Sequence, residues 1–280
     1  MTLPTVAIAG SGLGGLACAD ALAGRADCLL LERLPVLGGE HWRDPAVARL
    51  AARVRRQQAR LLLGSLAIRW DGQQVLSIGH QGARLDPADA LVVATGHRPL
   101  SRAELGIEGP RCGGVLPVTV ALHLLRAGVR LGRRPLVVGA TGWAAAAVAE
   151  LLRQPVEEVI VLASGRLDLP RRPGRPPVRL HAGAGAVALR GDPRVEAVQA
   201  WLPDGRLASL ACDAVILAAG RVPMRNIDGA VCDGAGVAFA QGGDEHGQEA
   251  AGRAAAEEAL RLAATPRPPR PPALRIGGEP

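Results

Sequence analysis

The chain has 280 residues, including 36 glycines and 22 prolines; its 33 basic side chains are all arginine and its net charge is +7. Without lysine there is no Schiff-base enzyme and no Walker-type phosphate loop, and without tyrosine or lysine there is no Tyr/Lys dehydrogenase pair. Hydrophobic residues make up 48% of the chain, enough for a sizeable core, and the length fits two domains. No stretch reaches the ~18 apolar residues of a membrane span, and the N-terminus has no basic, then apolar, leader. The expectation is a cytoplasmic protein with no membrane partner. The five cysteines are dispersed without a C-x-x-C, and the six histidines are scattered, so no metal site is expected. Arginines cluster at 53–60, 126–134 and 166–179, with almost no aromatics between them. That pattern reads as a solvated face and not as a nucleic-acid surface.

In chain order, the pattern predicts a buried strand at Thr5–Ala9, a Gly-rich turn, a helix over 13–23 and a strand over 28–31 that ends at Glu32. A helix over 45–58 follows. Alternating segments at 66–70 and 74–78 read as antiparallel strands joined by Asp71-Gly72. A buried strand at 90–94 then runs into Thr95-Gly96. The same plan recurs: strand 136–138, a Gly-containing turn, an alanine-rich helix to about Arg153, and strand 159–162. Strands at 186–190 and 195–202, the Asp204-Gly205 turn and a buried strand at 214–218 complete the repeat. A last strand at 237–241 and a helix over 247–264 belong to neither copy, so they are expected to return to the first domain. Five prolines within 266–272 predict an extended, disordered tail.

Gly10-Ser11-Gly12-Leu13-Gly14-Gly15 satisfies G-x-G-x-x-G between a strand and a helix. Gly10 permits the tight turn, Gly12 lets the backbone approach a pyrophosphate, and Gly15 lets the helix pack on the strand. The helix start offers unpaired N–H groups and the positive end of its dipole. Glu32, about 20 residues on, is placed to accept from ribose hydroxyls.

Glu32-Arg33 followed by Gly38-Gly39, with Ala94-Thr95-Gly96, its echo Ala218-Ala219-Gly220 and the late Gly243-Asp244, resembles the pyridine nucleotide–disulfide oxidoreductases, flavoproteins with two dinucleotide-binding domains. The resemblance covers about residues 5–262. It implies FAD on Gly10, Ser11, Gly12, Gly15, Glu32, Arg33, Gly39, Ala94, Thr95, Gly96, Gly243 and Asp244. It also implies that the helix beginning near Gly247-Gln248 faces the flavin pyrimidine, where a positive helix end favours the reduced ring. The disulfide chemistry of those proteins has no counterpart: Gly39 is followed by Glu40, His41 and Trp42, not by a paired cysteine motif. The segment Gly114-Val115, Gly128-Val129, Gly132-Arg133-Arg134 and Val137-Val138-Gly139 is similar to FAD subunits of heteromeric amine and imino-acid dehydrogenases, which implies a partner subunit or a homodimer. Those subunits carry a cysteine-rich extension where this chain has its Pro/Arg tail.

The second fingerprint, Gly139-Ala140-Thr141-Gly142, puts Thr141 where a glycine should be, and a side chain there obstructs a pyrophosphate. Ser164 and Arg166 follow the next strand with no acid in the ribose position, a pattern that favours NADP over NAD. His41 is the one candidate for proton transfer, and no partner for it is apparent.

These readings converge on an α/β protein with two Rossmann-like dinucleotide-binding domains, the second inserted in the FAD domain. The expected parts are 1–108 for FAD, 109–223 for the second domain, 224–265 for the return segment and 266–280 for the tail. The expected function is an FAD-dependent oxidoreductase acting on a small molecule. Two alternatives remain open: an NAD(P)H-dependent flavin reductase, and a redox-silent FAD- or nucleotide-binding subunit.

Overall fold

The computed structural model describes residues 2–57, 59–169, 177–224, 235–240, 242 and 245–265. Strand β1 (Thr5–Ala9) turns at Gly10–Gly12 into helix α1 (Leu13–Ala21), and β2 (Asp27–Glu32) follows. Helix α2 (Pro45–Arg56) starts cleanly because Asp44 caps it, accepting from the Ala46 N–H at 2.7 Å, with Pro45 in the first turn. Next come β3 (Arg60–Leu63), β4 (Ser65–Trp70), β5 (Gln74–Gly79), β6 (Gly82–Pro87), β7 (Ala90–Val93) and the two-residue β8 (His97–Arg98).

The chain continues through β9 (Val115–Pro117), α3 (Val118–Arg126), β10 (Pro135–Val138), α4 (Gly142–Leu151), β11 (Val159–Ala163) and β12 (Val178–Ala182). Then follow β13 (Gly185–Arg190), β14 (Ala197–Trp201), β15 (Leu207–Ala211), β16 (Ala214–Leu217) and the short β17 (Val222–Pro223). Strand β18 (Val237–Phe239) and helix α5 (Glu245–Ala263) close the described fold.

Two compact units result, one from Met1–Gly96 together with Pro223 onward, the other from His97–Val222. The first holds a five-stranded sheet in the order β18-β7-β1-β2-β3 and a three-stranded sheet β4-β5-β6. The second holds a five-stranded sheet β12-β11-β10-β16-β9 and a three-stranded sheet β13-β14-β15. Both five-stranded sheets are parallel throughout and both small sheets are antiparallel. The duplication read from sequence is therefore real. Strands β7, β10, β11 and β16 are buried along their whole length, as parallel strands covered on both faces must be.

The expected 108/109 boundary moves to Gly96/His97. The segment in between belongs to the second unit: Ile107 is buried in its core, Glu108 bridges to Ala188, and Arg102 holds the turn by donating to the Ile107, Gly109 and Pro110 carbonyls. The expected tail, 266–280, lies outside the described residues. In the first unit, the last helix packs on α1, burying Leu16, Ala17 and Cys18 with Ala255, Ala256 and Ala259. The approach is close enough that a Cβ on Gly252 would overlap the Gly14 carbonyl and lie 3.0 Å from the Ala17 Cβ. Gly252→Val should therefore lower stability by about 1–3 kcal/mol, seen as a reduced denaturant midpoint.

Candidate functional site

The first strand-to-helix turn is held by one carboxylate. Glu32, at the end of β2, is 4% exposed. Its Oε2 accepts from the Ser11 N–H at 2.9 Å and from the Ser11 hydroxyl at 2.7 Å, and its Oε1 accepts from the Leu34 N–H at 2.9 Å. Ser11 is fully buried and also takes the Gly38 N–H, through Oγ at 3.2 Å and through its carbonyl at 3.0 Å. A Cβ on Gly39 would stand 3.3 Å from the Gly12 Cα, so the Gly38-Gly39 turn lies against the loop. Gly10 takes φ 102°, and a Cβ there would strike the Ala94 carbonyl; one on Gly15 would strike the Gly10 carbonyl. The structure thus brings Gly10, Ser11, Gly12, Gly15, Glu32, Gly39 and Ala94 together.

Gly12 is the N-cap of α1 and makes no side-chain cap; a Cβ on it would meet nothing within 4 Å. The start of α1 therefore has no side-chain cap, and a helix N-terminus of that kind can accept an anion. Behind the loop, the Gln248 carbonyl lies 3.3 Å from where a Gly14 Cβ would be.

Other expected residues take different roles. Arg33 is exposed. The Thr95 hydroxyl donates to the Met224 carbonyl, and the Gly96 carbonyl accepts from the Met224 N–H at 2.8 Å. Thr95 and Gly96 thus join the chain's departure from the first unit to its return, a use that their place after β7 did not reveal. His41 lies exposed on a short 3₁₀ turn, Gly39–His41. Gly243 and Asp244 lie outside the described residues.

The second turn repeats the first with one change. Gly139 takes φ 138° beneath the Ala218 carbonyl, as Gly10 does beneath Ala94. Thr141 is the N-cap of α4: its Oγ1 accepts from the Ala144 N–H at 3.3 Å and donates to the Ala218 carbonyl at 2.7 Å. This helix start is capped by the chain itself. Gly142 opens the helix. Beside it the Arg221 guanidinium stacks on Trp143, 5.3 Å from the ring centroid. Near Arg221, His97 titrates below its ordinary range, first because it is desolvated and second because of the arginine's charge.

Arg166, the residue expected to favour a 2′-phosphate, lies exposed past the end of β11. It pairs with Asp168 at 3.4 Å, both side chains about nine-tenths exposed, while Ser164 is exposed beside it. Asp168 was visible in the sequence two residues on, as an acid beside Arg166. Among the described residues no group of acidic, histidine or cysteine side chains is arranged to hold a metal.

The family described as an NAD(P)-binding Rossmann-like domain matches residues 8–57, the stretch that carries the first turn and Glu32. No curated protein matches the chain in sequence. Solved structures match its fold. Thioredoxin reductase from Lactococcus lactis is 17% identical with a TM-score of 0.69, over 94% of this chain and 99% of that one. Bacillithiol disulfide reductase from Bacillus cereus is 17% identical with a TM-score of 0.66, over 94% and 99%. L-Proline dehydrogenase from P. horikoshii is 19% identical with a TM-score of 0.67, over 93% of this chain and 55% of that one. The chain thus shares its fold with these solved structures, and also with a pyridine nucleotide-disulfide family oxidoreductase from Enterococcus faecalis, 16% identical with a TM-score of 0.65 over 94% of this chain and 70% of that one.

Removing the self-made cap should be visible in the second unit. Thr141→Ala deprives the Ala144 N–H of its side-chain acceptor and should cost about 1 kcal/mol of stability, measured by denaturant unfolding.

Proposed function

We propose that this chain is an FAD-dependent oxidoreductase that passes a hydride between the flavin and a small organic substrate or a partner protein. The observation that carries the reading is the contrast between two otherwise matching helix starts. That of α1 has no side-chain cap at Gly12, whereas that of α4 is capped by Thr141. FAD fits the uncapped one. The pyrophosphate would lie on Gly10, Ser11, Gly12 and the N–H groups of α1, and a ribose would meet Glu32. When bound, FAD supplies the hydride chemistry. The chain's own part is to bind, to orient, and to present the start of α5, near Gly247-Gln248, to the ring system as the resemblance implies.

The reading routes no electrons through a protein disulfide. Burial pushes the Cys18 thiol far above its usual range, Cys28 up to about 11 and Cys212 up to about 12, which disfavours the thiolate at these three positions. A second reading, a redox-silent FAD-binding subunit, is favoured by the exposure of His41 and by the self-capped second turn. Reduction of the bound flavin by amino and imino acids separates the two.

The purified protein should be yellow or should take up added FAD, and Gly12→Val should abolish that uptake by filling the open space above the loop. A colourless protein that ignores FAD overturns the proposal.

With Thr141 capping the second turn, NADH and NADPH should bleach the flavin slowly in stopped-flow measurements. Thr141→Gly should speed the reaction by restoring backbone approach. Rapid bleaching of the unmodified protein by micromolar NADPH would make it an NADPH-dependent reductase instead.

A further inference from the structure

Helix α2 carries four exposed arginines, Arg49, Arg53, Arg55 and Arg56, and no acidic residue between Pro45 and Arg56. Arg53 is neutralised by the chain itself, donating to the two Asp20 carboxylate oxygens at 3.1 and 2.9 Å. The side chains of Arg49, Arg55 and Arg56 have no ion-pair partner among the described residues. The arginines over 126–134 differ. Arg126 pairs with Glu150, Arg133 with Glu157 and Arg134 with Glu158, which leaves Arg130 alone. Unpaired positive charge is therefore denser on α2. The helix dipole favours cations in the last turn, where Arg53, Arg55 and Arg56 stand. It does not account for Arg49, which precedes that turn and lies four residues before Arg53, a like-charge spacing that weakens a helix.

Val47, Leu50, Ala51 and Val54 are buried, which turns Ala48, Arg49, Ala52 and Arg56 to the other side of the helix. Arg49 and Arg56, seven residues apart, stand nearly in line, about 10 Å from one another along the axis. The two alanines beside them leave room for a second backbone to come close. We propose that this outward face of α2 docks an acidic segment of a partner protein, whose carboxylates pair with Arg49 and Arg56 while Arg55 flanks them. A planar guanidinium presents two parallel donors to a carboxylate, a match that lysine does not offer. Nucleic acid fits the face less well, because α2 has no aromatic side chain on which a base could stack. Exposed ion pairs are individually weak, so the contact is a transient one that salt loosens.

The test is fluorescence anisotropy of the full-length protein with two labelled probes of equal net charge, a helical peptide bearing glutamates along one face and a single-stranded oligonucleotide. At about 20 mM salt the peptide should bind, and at about 200 mM it should be released. Arg49→Gln with Arg56→Gln should weaken it about five- to thirty-fold, the range of two exposed pairs. Arg111→Gln with Arg130→Gln removes the same charge from two exposed, unpaired arginines of the second unit and should change binding by less than about two-fold. Equal losses in the two double variants would reduce the effect to net charge and overturn the proposal. Tighter binding of the oligonucleotide than of the peptide to the unmodified protein also overturns it, in favour of a nucleic-acid surface, and so does a peptide that fails to bind at low salt. The substituted side chains all lie outside the cores, and the comparison of the two probes on the unmodified protein stands whether or not a variant folds.

Discussion

Burying a carboxylate obliges the surrounding chain to bring it donors, because an uncompensated charge away from water costs several kcal/mol. Glu32 meets that demand with Ser11 and Leu34, and meeting it brings three separate pieces of chain to one place. The Gly10–Gly12 loop is tied to the end of β2 through the Ser11 N–H and hydroxyl. The Gly38-Gly39 turn is tied to the loop through the same serine. The geometry of this helix start is thus established by contacts within the protein, a preorganisation that lowers the entropic cost of binding wherever a ligand is taken up.

The second unit shows how little chemistry separates an uncapped turn from a capped one. Both turns place a left-handed glycine under a carbonyl, that of Ala94 in one and Ala218 in the other. Both lead directly into a helix. A single hydroxyl separates the two: Thr141 accepts from the Ala144 N–H, where α1 has no side-chain cap, and donates to the same carbonyl that crowds Gly139. Affinity for an anion and a side-chain cap draw on one set of donors at any helix start, and only the second unit spends one of them on a cap.

The strands of the five-stranded sheets were largely legible because unbroken buried runs such as Ala90–Val93 and Ala214–Leu217 have few other meanings. Helix α3 was not. It opens on the β-branched pair Val118-Thr119, and Pro117, its N-cap, offers no side-chain acceptor, so no start signal is written. Edge strands β3 and β12 escaped as well, since half-exposed edges such as Val178–Ala182 lack an apolar run. At the site, Gly10, Gly12 and Glu32 could be read from spacing. The role of Ser11 could not, because a variable position of the fingerprint gains meaning only when β2 places Glu32 opposite it. The pairing of Arg166 with Asp168 was not read either, because Asp168 lies past the strand end where acids are usually sought.

The seam between the units has a further meaning. The chain leaves the first unit after Gly96 and re-enters it at Pro223, and the Gly96 carbonyl and the Met224 N–H are one hydrogen bond apart. The departing and returning segments also pair as β8 and β17. Everything the first sheet requires lies outside the intervening stretch: β1, β2, β3 and β7 precede it, and β18 follows. In genetic terms the second unit is a cassette spliced into a single junction of an otherwise continuous fold. Such a junction can exchange its insert for another, or close over a short loop, without breaking a strand pairing of the host, which leaves the two halves of the molecule free to follow separate evolutionary histories.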